Sequence, residues 1–176
     1  RSPSRGLGDV YKRQYNKPTQ EGIYQHYKMI SEVSPLPIIM YNVPSRTASN
    51  IRSETTLRLA NNFENIVAIK EASGDIDQIM KIIKDKPAHF VVLSGDDSLT
   101  LPIIHMGAER VISVIGQSHP KEYSDMVSFA ILGNKKVSNQ LHYKLYDFYE
   151  PLYAEGNPVG IKACLELMGI CKACLL

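Results

Sequence analysis

Asn65-Ile-Val-Ala-Ile-Lys-Glu-Ala-Ser-Gly74 is the stretch on which the fold turns. Ile66 to Ile69 form a short, continuous apolar run. A strand buried on both faces reads this way, whereas a strand with one wet face alternates. A Ser-Gly turn follows, and Asp75 to Asp85 then carries Ile76, Ile79, Ile82 and Ile83 at helical spacing. The stretch therefore predicts a buried strand, from Asn65 to Lys70, feeding an amphipathic helix.

The same rhythm extends in both directions. Leu36 to Val43, Phe90 to Ser94 and Arg110 to Ile115 are three further apolar runs rich in Val and Ile. Helical patterns occupy Gly22 to Val33, Ser53 to Asn61 and Asp97 to Met106, and Ser53 with Thr56 can open the second. Three more follow the last strand: Pro120 to Leu132, Ser138 to Tyr153, and Pro158 to Met168, the last closed by Gly169 as a C-cap. Alternating strands and helices mean an α/β fold with a parallel sheet. Two architectures fit: a doubly wound sheet, or part of a (β/α)8 barrel, whose complete form has eight strands and roughly 250 residues. The pattern alone does not choose between them.

Composition narrows the function. The chain of 176 residues is 44% hydrophobic and 22% charged, an ordinary globular profile of one-domain size. A formal charge of +2, with basic residues spread along the chain, makes neither a nucleic-acid stripe nor a membrane patch. No apolar run is long enough to span a bilayer. The opening RSPSRGLGDVYKRQ is basic but leads into no apolar segment, so a signal peptide is not expected and the cytoplasm is. Cys164, Cys171 and Cys174 make neither a disulfide framework nor a complete metal motif. His26, His89, His105, His119 and His142 are scattered without metal spacing. Phosphate loops, dinucleotide fingerprints and nucleophile elbows are missing.

In α/β folds reactive groups collect beyond the carboxyl ends of the strands. Those positions here hold Tyr41, Arg46, Lys70, Gly95, Asp96, Asp97, Ser113 and Gln117. Lys70 ends an otherwise apolar strand, and desolvation there favours the neutral amine, which can attack a carbonyl to form a Schiff base. The plainer alternative is a lysine that reaches solvent or pairs with Glu71. Tyr41 can relay protons, or simply sit at the core edge with a wet hydroxyl. Arg46, in a Pro-Ser-Arg-Thr loop, can grip a carboxylate in bidentate fashion, or be a solvated loop residue. Gly95 permits close backbone approach to a ligand. Asp96-Asp97 read as a weak metal signal or as an N-cap of the helix that follows.

Taken together, Tyr41-Asn-Val-Pro-Ser-Arg-Thr47, Ile69-Lys-Glu-Ala-Ser-Gly74, Leu93-Ser-Gly-Asp-Asp97 and Val111-Ile-Ser-Val114, in this order, resemble dihydrodipicolinate synthases. Tyr15-Asn-Lys-Pro-Thr-Gln-Glu-Gly22 and Asn157-Pro-Val-Gly-Ile-Lys-Ala163 resemble them as well. The likeness covers residues 15–170 and leaves 1–14 and 171–176 unmatched. It implies a TIM (β/α)8 barrel, of which this chain carries strands five to eight and the carboxy-terminal helices. It further implies a Schiff-base lyase that condenses pyruvate with aspartate semialdehyde on the route to diaminopimelate and lysine, without metal or organic cofactor. Lys70 would form the Schiff base, and Tyr41 would relay protons. Tyr15 would enter a neighbouring subunit's site, in a homotetramer of full-length chains. Arg46 would bind a carboxylate, and Gly95 and Ile112 would line the pyruvate pocket. Nucleic acid and membrane are not expected partners.

The family's Gly-Thr-Thr-Gly-Glu loop does not occur in the chain, and Lys12-Arg13-Gln14 stand where the family has Thr-Pro-Tyr. Half a barrel leaves open strand edges, so the chain alone is expected to be inactive, and insoluble, molten or self-associated. Two other readings remain open: a different pyruvate-dependent aldolase, such as N-acetylneuraminate lyase or a keto-deoxy-sugar-acid aldolase, and a non-catalytic barrel fragment. The Arg46 loop favours the synthase over the sugar-acid enzymes.

Overall fold

The computed structural model describes residues 17–172. The expectations for residues 1–14, Tyr15 and Cys174 lie outside them. The chain divides into two compact units, the first ending at Phe90 and the second beginning at Val91.

In the first unit, α1 (Gln20–Val33) precedes β1 (Ile38–Asn42), a one-turn helix α2 (Pro44–Thr47), α3 (Ser53–Asn62), β2 (Ile66–Glu71) and α4 (Ile76–Asp85). β1 and β2 are parallel, and Tyr41 is paired with Lys70 and Asn42 with Glu71. The ladder is irregular between Ile38 and Ile39 and regular from there to the carboxyl ends. Local chemistry sets the helix starts. Thr19 caps α1 by accepting from the Gly22 amide at 3.1 Å, and Asp75 caps α4 by accepting from the Gln78 amide at 3.0 Å. Pro44 opens α2, where its fixed φ suits the first helical position. Met40, Leu59, Ile66, Ile69, Ile79 and Ile82 are completely buried and form the core of this unit. Gly74, at φ +71, makes the left-handed turn from β2 into α4.

The second unit runs through β3 (Val91–Ser94), α5 (Thr100–His105), β4 (Arg110–Val111), a 3-10 turn (Ile115–Gln117), α6 (Pro120–Ile131), α7 (Lys135–Tyr153) and α8 (Val159–Leu167). β3 and β4 are parallel, with Leu93 opposite Arg110 and Ser94 opposite Val111. Val92, Ile103, Ile115, Met126, Leu145 and Ile161 fill its core. Gly169, at φ +72, ends α8 as the sequence implies.

Three local expectations need correction. The fourth strand stops at Val111 rather than Ile115, because the amides of Val114 and Ile115 turn to the Asp97 carboxylate instead of a strand. The segment Pro44–Thr47 is one turn of helix, not a loop. Ser53 and Thr56 do not cap α3; the N-cap is Arg52, and the buried Thr56 hydroxyl has no hydrogen-bond partner.

Helices α7 and α8 meet at Gly160. A Cβ built there would lie 2.5 Å from the Leu152 carbonyl oxygen and 2.7 Å from the Leu152 Cα, so backbone has to move. Gly160→Ala is therefore expected to destabilise the second unit by about 2 kcal/mol. The check is a fall in the denaturant midpoint at unchanged slope.

Candidate active site

The strand ends concentrate the reactive groups of the first unit. Tyr41 and Lys70 are direct neighbours across β1 and β2. The Lys70 Nζ lies over the Tyr41 ring, 4.1 Å from its centroid, a cation–π contact made possible by that register. Lys70 is half-buried, and Tyr41 is 41% exposed. The Lys70 amine therefore lies against an aromatic face and is partly withdrawn from water. Burial pushes the Tyr41 phenol above its ordinary value, and the positive charge of Arg46 pulls the other way. The phenol therefore stays protonated at neutral pH and has a proton to move. Arg46 follows in α2, the single turn that succeeds β1. Thus three of the expected residues are gathered in one unit.

The residue after Lys70 points to the other side of the pleat. Glu71 is fully buried. Its Oε1 accepts from Asn42 Nδ2 at 2.9 Å and Gln78 Nε2 at 3.2 Å, and its Oε2 accepts from Ser73 Oγ at 2.7 Å. Burial raises the Glu71 carboxyl above the usual carboxylate range, while these hydrogen bonds oppose that shift. Sequence reasoning considered Glu71 only as a partner for Lys70 and missed the network. The available signal was the set of polar residues, Asn42, Glu71 and Gln78, placed where the strand and helix patterns call for core.

In the second unit, Gly95 follows β3 and Ile112 follows β4. The Ile112 amide donates to the Ser94 carbonyl at 3.0 Å, so the two positions sit on adjacent strand ends. Ile112 is 45% exposed. The N-cap of α5 is Leu99, not Asp97. Its buried carboxylate accepts from the amides of Val114 at 3.1 Å and Ile115 at 2.9 Å, and from the Tyr153 hydroxyl at 3.0 Å. Tyr123 Oη completes the cluster by donating to Thr100 Oγ1 at 2.8 Å. Burial, and then the nearby Asp97 charge, push the Tyr123 phenol far up. This clamp shapes the segment after Ile112. Among the described residues no group of three or more His, Cys, Asp or Glu could hold a metal ion, and no helix is long and apolar enough to cross a membrane.

The chain is similar in sequence and fold to known proteins. The 4-hydroxy-tetrahydrodipicolinate synthase of Phocaeicola vulgatus is 54% identical over 156 residues, 89% of this chain and 52% of that protein. The dihydrodipicolinate synthase structure from Thermotoga maritima superposes with a TM-score of 0.89 at 42% identity, over 92% of this chain and 56% of that one. The chloride-inhibited dihydrodipicolinate synthase of Acinetobacter baumannii, solved with pyruvate, gives a TM-score of 0.87 at 38% identity, over 92% and 55%. The chain spans about half the length of the relatives it matches. Its α/β fold is that part of their TIM barrel. Of the architectures left open by the strand pattern, part of a barrel is the one these structures support. With the Dihydrodipicolinate synthetase family model matching residues 13–176, almost the whole sequence, this chain belongs to that family.

Proposed function

We propose that this chain carries the Schiff-base half of a 4-hydroxy-tetrahydrodipicolinate synthase, a lyase that condenses pyruvate with aspartate semialdehyde. The observation that carries this reading is the Lys70 amine held 4.1 Å from the centre of the Tyr41 ring, at the paired carboxyl ends of two parallel strands. The amine attacks the ketone carbon of pyruvate, and loss of water leaves an imine on Lys70. Loss of a methyl proton gives the enamine, whose carbon adds to the aldehyde. The amine of the semialdehyde then closes the ring on the imine carbon and releases Lys70.

Tyr41 moves protons in these steps, and Arg46 holds a substrate carboxylate. Gly95 and Ile112 are assigned to the backbone that lines the pyruvate pocket, and Tyr15 to a neighbouring subunit's site. The complete enzyme is read as a cytoplasmic homotetramer in lysine and diaminopimelate biosynthesis that uses no metal or organic cofactor. Arg46 favours this reading over a sugar-acid aldolase.

Tyr41→Phe tests the relay. It keeps the ring under Lys70 and removes the hydroxyl. Exchange of the pyruvate methyl protons with deuterium, followed by NMR, is expected to slow by about 10²-fold. Reductive capture of pyruvate on Lys70 is expected to persist. Unchanged exchange would remove Tyr41 from the relay.

A further inference from the structure

The buried carboxylate beside the reactive lysine has no part in the chemistry above. Glu71 is nevertheless tied into the most extensive side-chain network of the first unit. Besides donating to Glu71, Asn42 Nδ2 donates to Asn50 Oδ1 at 2.8 Å, while Asn42 Oδ1 accepts from the Ile51 amide at 3.0 Å. Gln78 and Asn50 exchange hydrogen bonds of 2.9 and 3.2 Å. Gln20 then reaches the Asn50 carbonyl from α1 at 2.8 Å and accepts from Thr55 of α3 at 2.7 Å. One carboxylate thus joins β1, β2, α4 and the approach to α3, and through Asn50 it reaches α1.

All three side chains at Glu71 donate into it, the pattern of an ionised acceptor, and hydrogen bonds to a charged acceptor are about twice as strong as neutral ones. Its position matters as much as its partners. The β1–β2 ladder is irregular at Ile38 and Ile39, so the amino-terminal end does not fix the register at the other end. The cross-strand bond from Asn42 to Glu71 lies one pair beyond Tyr41 and Lys70. A slip of one residue there would carry Lys70 to the opposite face.

We propose that Glu71 is the positioning residue for Lys70: its hydrogen-bonded carboxylate locks the carboxyl ends of β1 and β2 in the register that sets the Lys70 amine against Tyr41. The inference rests on the reading of Lys70 as the Schiff-base lysine. Glu71 touches no substrate and acts through the strand it anchors.

The test combines two measurements on the same chain. The first is competitive acetylation of lysines, read residue by residue by mass spectrometry, which needs no substrate. The second is reductive capture of pyruvate. In Glu71→Leu, Lys70 acetylation is expected to change roughly fivefold or more relative to the other lysines, and capture to fall by about tenfold or more. Glu71→Gln keeps the shape, accepts from Asn42 and Gln78 through its oxygen and can donate to Ser73, so it is expected to regain most of what the leucine variant loses. Ser73→Ala removes one donor and is expected to shift Lys70 acetylation in the same direction by a smaller amount; it decides the matter where Glu71→Leu does not fold. An unchanged Lys70 acetylation ratio in a folded leucine variant, or in Ser73→Ala where the leucine variant is unfolded, overturns the proposal. So does a glutamine variant as impaired as leucine. A native chain that captures no pyruvate overturns the Schiff-base reading instead, and the acetylation ratios still report whether Glu71 positions the amine.

Discussion

Asp97→Ala is expected to lower stability by about 4 kcal/mol. The carboxylate is 1% exposed and satisfies the amides of Val114 and Ile115 as well as the Tyr153 hydroxyl. An orphaned buried donor costs about 1–3 kcal/mol. Two backbone amides lose their acceptor outright, while Tyr153, 37% exposed, can turn its hydroxyl to water. Removing the carboxylate also removes the cost of burying a charge, which keeps the net below the simple sum. Domains are stable by about 5–15 kcal/mol, so a loss of this size consumes much of the margin. The melting temperature is expected to fall by roughly 10 °C or more. Asp97→Asn retains one acceptor and turns an amide toward the other donors, so about half of the loss is expected. Calorimetry on the three chains checks the series, and an alanine variant as stable as the parent would show that the clamp is ornamental.

Lys70→Arg, made in a complete enzyme that contains this half, is expected to reduce capture and turnover of pyruvate by about 10⁴-fold or more while leaving the fold intact. Arginine preserves the positive charge and can still stack on the Tyr41 ring. It cannot supply a neutral amine, because guanidinium does not deprotonate in proteins. The substitution therefore separates charge from nucleophile. If the arginine variant retained activity, Lys70 would be a binding charge and the imine would form elsewhere or not at all. Unchanged thermal stability in the variant confirms that the comparison concerns chemistry.

The strand-helix rhythm was legible because burial imposes it directly. The run Ile66 to Ile69 is buried or half-buried throughout β2, and Ile79 and Ile82 face the core from α4. What the sequence hid was where polar groups spend their hydrogen bonds. Nothing local distinguishes the Asp97 of a helix cap from the Asp97 that captures two amides seventeen and eighteen residues ahead. That distant capture is also why β4 ends at Val111, although Ile112 to Ile115 look as strand-like as the residues before them. Glu71 was hidden for a related reason. An acid at the end of an apolar strand is by default taken to face water, and only the partners brought by Asn42, Ser73 and Gln78 make its burial tolerable. Lys70, Tyr41 and Arg46 stood out as candidates because strand ends in α/β folds collect function, but position alone left plainer readings open, and their proposed roles come from the family resemblance. Their mutual geometry came only with the register of β1 on β2.

The most direct test of the central claim is to incubate the chain with pyruvate, reduce with borohydride and map the adduct by mass spectrometry, with Lys70→Ala in parallel. A single adduct on Lys70, absent from the alanine variant, is the predicted result. A folded chain with no adduct on Lys70, or with adducts spread evenly over its exposed lysines, would contradict the account and leave Lys70 an ordinary strand-end lysine.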